Sequence, residues 1–398
     1  MQAELRDFIQ QHIDDDTAAL LLSARRYPGI DVPFAVRQIE ARRQLKGKLP
    51  EWCANPNLIM SGRVPAEQCS SEQTARYKRS IVEGRTLCDM TGGMGVDFWY
   101  MSEGMGRAIY TERDEGMCEA ATHNFHALKD GQHPEVEVRH GDGQVLPIPQ
   151  VDVIYLDPAR RATDGSRVYA MEDCEPNMVE WQDELLRHAR MVLVKLSPMV
   201  DLTDVLRKLK GVAEVHVVAV RNECKEVLVK QVSAITSPAQ LKGAVAVALH
   251  CVDFLASSTI HYTATFPDAS EAVVTEHGVG HYLYEPDVTL MKAQVFGSLC
   301  GRFHVKQLDY GTHLMTSEVF VPDFPGRIFE VEEQIPFTSK VVKRLKQSIP
   351  QANMATRNFI LTADQFRQRT GIKEGGEVYL FGAKVKDVGQ MLLKCRKK

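Results

Sequence analysis

From Thr86 onward the chain alternates short apolar runs with amphipathic ones, and this rhythm leaves few folds open. The runs "RTLCDM", "GRAIYTE", "EVEVRHGDG", "VDVIYLDP" and "MVLVKLSP" read as strands. Between them, "VDFWYMSEG", "EGMCEAATHNFHALK" and "EWQDELLRHARM" read as helices, and "LTDVLRKLK" follows as another. Strands alternating with helices predict a mostly parallel sheet covered on both faces. Two further strands, "AEVHVVAVR" and "EVLVKQVSAIT", are joined by a short link, so they are expected to pair antiparallel.

The flanks read differently. Residues 1–80 are mostly helical in pattern: "DDDTAALLLSARR" opens on capping acids, and Val36, Ile39 and Leu45 recur on a rough helical period. Ser70 or Ser71 is a candidate N-cap for the run that follows. After about Ser237 the alternation breaks. "AVAVALHCVDFLA", "TIHYTATF" and "AVVTEHGVGHYLYEP" look like β structure, "FTSKVVKRLKQSIPQ" like an amphipathic helix, "MATRNFILTADQFRQRTGI" like a strand and then a helix, and "GGEVYLFGAKV" like a strand. The expected organisation is a helical segment over 1–80, an α/β domain over 81–237 and an α+β region over 238–398.

The 398 residues are 44% hydrophobic and 25% charged, an ordinary soluble balance. No apolar run approaches the ~18 residues a membrane helix needs, and "MQAELRDFIQQHIDDDT" lacks a basic region leading into an apolar core, so no secretory signal is expected. Nine scattered cysteines with no CxxC pair suggest reduced thiols in a cytosolic protein. Residues 331–398 carry 14 Lys/Arg against 6 Asp/Glu, a net of +8 in a chain of net −4, so residues 1–330 carry −12. A basic end on an acidic body points either to a polyanionic partner or to a solvated face.

The loop after the first strand of the alternating region is "DMTGGMGVD". In an open parallel sheet this loop floors the ligand crevice. Gly92, Gly93 and Gly95 would let a ligand approach the backbone, and the start of the next helix offers free N–H groups. A dinucleotide needs G-x-G-x-x-G/A. Counted from Gly93, the third small position is Phe98, so that fingerprint fails. Asp89 is also a poor neighbour for a pyrophosphate. S-adenosylmethionine (SAM) carries an ammonium and a sulfonium instead, and an acid at the end of the first strand suits both. Glu112 ends the second strand, 23 positions on, where a carboxylate accepts ribose hydroxyls. Asp142 and Gly143 follow the third strand, and Asp157 ends the fourth.

The ordered set "DMTGGMGVD", "YTE", "HGDG" and "LDPAR" resembles the class I SAM-dependent methyltransferases over roughly residues 80–235. The resemblance implies a Rossmann-like domain with an antiparallel last strand. It also implies that Asp89, Thr91, Gly92, Gly93 and Gly95 hold the methionine part of SAM, Glu112 the ribose, and Asp142 with Gly143 the adenine. The upstream "EQCSSEQTARYK" with "YLYEPD" and "GGEVYLFG" is similar to a bacterial group in which such a domain precedes a THUMP-like domain. THUMP domains are associated with RNA modification, so the resemblance implies an RNA substrate, tRNA or rRNA.

Base amino methyltransferases resemble one another in Asp/Asn-Pro-Pro-aromatic at the fourth strand end. Here Asp157 and Pro158 are followed by Ala159 and Arg160. Asp157 and the Pro158 carbonyl are expected to accept the N–H bonds of the target. The stacking aromatic is absent, and Arg160 either stacks through its guanidinium or holds phosphate. The form also looks like the C5-pyrimidine RNA methyltransferases, but "VKLSPMVD" supplies Ser197 where those carry a nucleophilic cysteine, and Cys174 and Cys224 are expected to lie elsewhere and to be structural. Nitrogen methylation is therefore ranked first. Arg161 and Arg167 near the mouth, and Lys340, Lys343 and Arg344 on the basic helix, are candidates for the RNA backbone, with Arg357, Arg367 and Arg369 beside them. His123 and His126 stand one turn apart with no third ligand in view, so no metal is expected. The reading is a cytoplasmic SAM-dependent RNA methyltransferase. Its rivals are a protein or small-molecule methyltransferase and a non-catalytic RNA-binding protein on the same scaffold.

Overall fold

The computed structural model describes residues 1–60, 68–160, 171–233 and 247–398. The expected boundary near 237 falls outside them. The chain divides into two compact units, one of residues 1–213 with 227–243, the other of residues 214–226 with 244–398.

In the first unit the strands are β1 (Thr86–Asp89), β2 (Arg107–Glu112), β3 (Val136–His140), β4 (Val151–Leu156), the short β5 (Ala159–Arg160) and β6 (Cys174–Glu175), and β7 (Ala189–Leu196). Next come β8 (Val212–Val220) and β9 (Cys224–Val232), which straddle the division in sequence. The sheet of this unit runs β9-β7-β4-β1-β2-β3. Its pairs are parallel except β7 with β9, which is antiparallel. Because β1 lies between β2 and β4, the order reverses there, and the loops after β1 and β4 open on one crevice. Phe98 is fully buried against the rings of Tyr110 and Phe125. A large ring thus fills the helix–strand contact where a dinucleotide fold keeps a small residue.

The helices of residues 1–81 belong to this unit as well. Asp16 and Asp31 cap the helices Thr17–Leu22 and Val32–Leu45, and Val36, Ile39 and Leu45 point inward as expected. Ser71, not Ser70, caps Glu72–Ile81 by accepting the Thr74 amide.

The second unit contains β10 (Val247–Phe254) and β11 (Thr259–Phe266). β10 is parallel to β8 and antiparallel to β11. Then come β12 (Tyr282–Pro286), β13 (Lys306–Gln307), β14 (Met315–Ser317), β15 (Gly326–Pro336), β16 (Asn353–Arg357), β17 (Val378–Val385) and β18 (Gly389–Lys397), which form a sheet in the order β13-β14-β12-β15-β18-β17-β16. Alternate residues of β17 and β18 feed two cores. Phe381 and Leu393 join Leu283, Leu308 and Phe329 on one side. Leu380 and Leu392 join Leu345 and Phe366 on the other. The helix Ser339–Ser348 buries Val342 and Leu345 and exposes Lys340, Lys343 and Arg344, as its amphipathic pattern predicts.

Candidate active site

Asp89 ends β1 and is 1% exposed. Its carboxylate accepts the Thr91 amide at 2.9 Å and the Thr91 hydroxyl at 3.4 Å. The same hydroxyl oxygen accepts the Asp157 amide at 2.7 Å. Thr91 thereby fastens the loop after β1 to the loop after β4. Burial pushes the Asp89 carboxyl well above the usual range; the Thr91 amide opposes this, and the charges of Asp97, Asp157 and Glu112 reinforce it. Among the described residues, no ammonium or guanidinium pairs with Asp89.

The three glycines of the loop are needed for different reasons. A Cβ on Gly92 would lie 2.3 Å from the Tyr110 ring, and one on Gly95 would lie 2.6 Å from the Phe125 ring. Both positions are therefore fixed by packing underneath the loop. Gly93 has φ +56°, and a Cβ there would meet nothing nearer than the Thr91 carbonyl at 3.8 Å. Its amide donates to Glu112 Oε2 at 2.8 Å, and its carbonyl accepts the Tyr110 hydroxyl. Glu112 also accepts the Asp114 amide at 2.9 Å through its other oxygen. Asp142 is exposed, and its carboxylate accepts the Gln144 amide at 2.9 Å. Gly143 is a contact point: a Cβ on it would lie 2.6 Å from the Met90 carbonyl. Asp89, Glu112, Asp142 and Asp157 thus sit at or just beyond the ends of β1, β2, β3 and β4.

Asp157 is half-buried, and its Oδ2 accepts a hydrogen bond from Lys195 Nζ at 2.5 Å. Lys195 lies on β7 and its side chain is 12% exposed. Pro158 is buried. The residues after it are pinned by a two-residue ladder in which Ala159 faces Glu175 and Arg160 faces Cys174. Cys174 therefore lies beside the "DPAR" stretch, although the two are 14 positions apart in sequence. Cys224 caps the Val288 carbonyl in the second unit, and burial pushes its thiol up to about 12. The Arg160 side chain, Arg161 and Arg167 lie outside the described residues.

Beneath the loop, Asp97 accepts hydrogen bonds from the hydroxyls of Ser70 and Tyr155, each at 2.7 Å, and its other oxygen is 3.1 Å from Lys78 Nζ. Lys78 is fully buried. Burial alone would raise the Asp97 carboxyl, but Lys78, Lys195 and the two hydroxyls hold it below its usual range. Lys195 and Lys78 carry roles that the sequence did not announce. Each is one lysine in an ordinary strand or helix pattern, and only strand and helix packing brings it to a carboxylate.

In the second unit, Arg357 and Arg327 pair with Glu285, which is 3% exposed. Arg367 pairs with Asp364 and Glu374. These arginines are committed to the fold. Lys340, Lys343 and Arg344 are exposed and have no acidic partner among the described residues. His123 Nε2 lies 2.8 Å from the Asn57 carbonyl, so it serves the fold.

With this geometry in place, relatives identify the class. Residues 326–397 match a family model described as THUMP domain-like, and residues 282–325 match one described as a ferredoxin-like domain. The THUMP-like match thus occupies a narrower span than 238–398. A crystal structure from Porphyromonas gingivalis W83, described as that of a candidate methyltransferase, is 35% identical and superposes with a TM-score of 0.88, covering 99% of this chain and 97% of that one. Two uncharacterized S-adenosylmethionine-dependent methyltransferases from Mycobacterium tuberculosis strains CDC 1551 and H37Rv are each 24% identical over 359 residues, 87% of this chain and 90% of theirs. The chain belongs to the class I SAM-dependent methyltransferases that carry a C-terminal THUMP-like domain. It is a SAM-dependent methyltransferase, and SAM is its cofactor.

Proposed function

We propose that the chain methylates a nucleobase nitrogen in RNA, with the methyl acceptor held at Asp157 and Pro158. The observation that carries this reading is the Asp157 carboxylate. Thr91 anchors its backbone and Lys195 holds one oxygen, while the second oxygen has no hydrogen bond from the described residues. A carboxylate held in this way orients an acceptor N–H and takes up its proton.

The cofactor fits the crevice on a separate observation. Asp89 is a buried carboxylate with no cation paired to it among the described residues, the setting that an ammonium or sulfonium relieves. Gly93 leaves open space above the loop, and Glu112 stands at the next strand end. Asp89, Thr91 and Gly93 would receive the methionine part, Glu112 the ribose, and the Asp142–Gly143 turn the adenine. SAM supplies an electrophilic methyl for in-line transfer. The chain's residues place the acceptor and remove its proton.

The resemblance to THUMP domains and the unpaired cations of Lys340, Lys343 and Arg344 support RNA as the substrate. The test is transfer of labelled methyl from SAM to total RNA of the source cell. The wild-type chain should label RNA. Asp157→Ala should lose at least about 100-fold in rate while keeping its SAM affinity. Replacing Lys340, Lys343 and Arg344 by Gln should weaken RNA binding and lower its salt slope by about 2–3. Label found only in protein or small molecules would overturn the reading.

A further inference from the structure

In the second unit, β8 and β10 run parallel with His250 opposite His216 and Ala248 opposite Glu214. Side chains two residues apart on a strand share a face, so Glu214, His216 and His250 project to the same side. His216 Nε2 lies 3.1 Å from Glu214 Oε2. The imidazoles of His216 and His250 lie 4.6 Å apart at 12°. One donor atom from each of the three residues falls within 4.8 Å of the others, and this is the one such group among the described residues. His261 on β11 extends the row, its ring 5.8 Å from that of His250. His216 is 1% exposed, whereas His250 and Glu214 are half-buried and His261 is open to solvent.

The geometry points to a divalent transition-metal site formed by Glu214, His216 and His250, with a fourth position beside His261. Metal–ligand bonds of about 2.0–2.1 Å at tetrahedral angles set donor atoms roughly 3.3 Å apart. The Glu214–His216 pair already has nearly that separation. His250 reaches it by a side-chain rotation, because the strand register fixes its backbone opposite His216. Two imidazoles and one carboxylate suit zinc, cobalt or nickel. Magnesium and calcium ask for more oxygen ligands than this cluster offers. Both strands belong to the sheet and not to a loop, so the backbone positions of the three ligands are set before an ion arrives. An ion here would clip β8 to β10, two strands linked through residues 221–246, and would stabilise the second unit.

The experiment is titration of the metal-stripped full-length protein with Co²⁺, followed by visible absorption and by displacement with Zn²⁺. One Co²⁺ per chain should bind, with the ligand-field spectrum of a nitrogen/oxygen site of low coordination number. Zn²⁺ should displace it and raise the thermal midpoint. His250→Gln and Glu214→Gln should each weaken binding at least about tenfold, while His123→Gln leaves it unchanged. SAM affinity, measured on the same proteins, should not move. Glu214→Gln is half-exposed and carries the test if His250→Gln does not fold. Absence of stoichiometric binding to the wild-type chain, an intense thiolate-to-cobalt band, or unaltered affinity in both variants would each overturn the assignment.

Discussion

Asp89 and Asp97 lie eight residues apart, at the two ends of one glycine loop, and both are buried, yet the protein treats their charges in opposite ways. Asp97 is given a buried lysine and two hydroxyls, and its carboxyl is held low. Asp89 is given one amide, one long hydroxyl contact and a ring of other carboxylates, and its carboxyl is pushed high. Glu285 in the second unit follows the Asp97 pattern, with two arginines on one buried carboxylate. A buried carboxylate that serves the fold comes with its own cations. In the proposed reading Asp89, which pairs with no cation among the described residues, takes its compensating charge from SAM.

The most severe way to break this contrast is to take the cation from Asp97. Lys78→Met leaves the buried Asp97 without its ion-pair partner, with only two hydroxyls and the more distant Lys195 to offset its charge, and should cost about 3–5 kcal/mol of unfolding free energy. The double variant Lys78→Met, Asp97→Asn should recover much of that loss, because it removes the charge along with its partner. Urea unfolding of the wild-type chain, Lys78→Met, Asp97→Asn and the double variant gives the cycle. Equal losses for the single and double variants would mean that Lys78 acts through packing alone.

Next in size is Asp89→Asn. Its folded carboxyl lies above the unfolded value, so its contribution to stability is complete at low pH and is lost as pH rises through the folded value. The ligand-free wild-type chain should therefore be less stable at pH 8 than Asp89→Asn. In the proposed role, SAM should protect the wild-type chain more at pH 8 than at pH 5, and Asp89→Asn should bind SAM on the order of 100-fold more weakly. Thermal midpoints at the two pH values, with and without SAM, decide this. Tight SAM binding by the variant would detach Asp89 from the cofactor.

The acids at the strand ends were legible in the sequence because position and charge are both printed there. Asp89, Glu112 and Asp157 each follow an apolar run, and Asp142 follows the alternating strand "VEVRH" by one glycine. The reasons for the glycines were only partly legible. All three read as room for a ligand, but Gly92 and Gly95 answer to Tyr110 and Phe125, which are 15 or more positions away in sequence. Lys195 was hidden for a related cause: its partner Asp157 is 38 residues distant on the neighbouring strand. The Glu214, His216 and His250 group depends on one strand register, and a shift of a single residue would turn His250 to the opposite face. Hydropathy reveals that strands exist. It does not reveal which residues lie side by side.

The smallest effect should come from Asp253, and it separates burial from ligand binding. Asp253 is fully buried near the end of β10, faces Asp287, and accepts the Asn222 amide at 2.8 Å. Burial, then the charge of Asp287 and a hydrogen bond with it, raise its carboxyl to about 7. Like Asp89 it has a raised folded value, so its stabilising contribution is full below the unfolded value near ~4 and falls away as pH rises through about 7. Asp253→Asn should flatten the decline in thermal midpoint between pH 5 and 8, by on the order of 2–4 °C. Asp253 lies in the second unit, whereas the crevice residues lie in the first. SAM should therefore leave the Asp253 difference unchanged while it abolishes the Asp89 difference. If SAM removed both, charge in the two units would be coupled, and an uncompensated carboxylate would no longer mark the place where a cationic ligand sits.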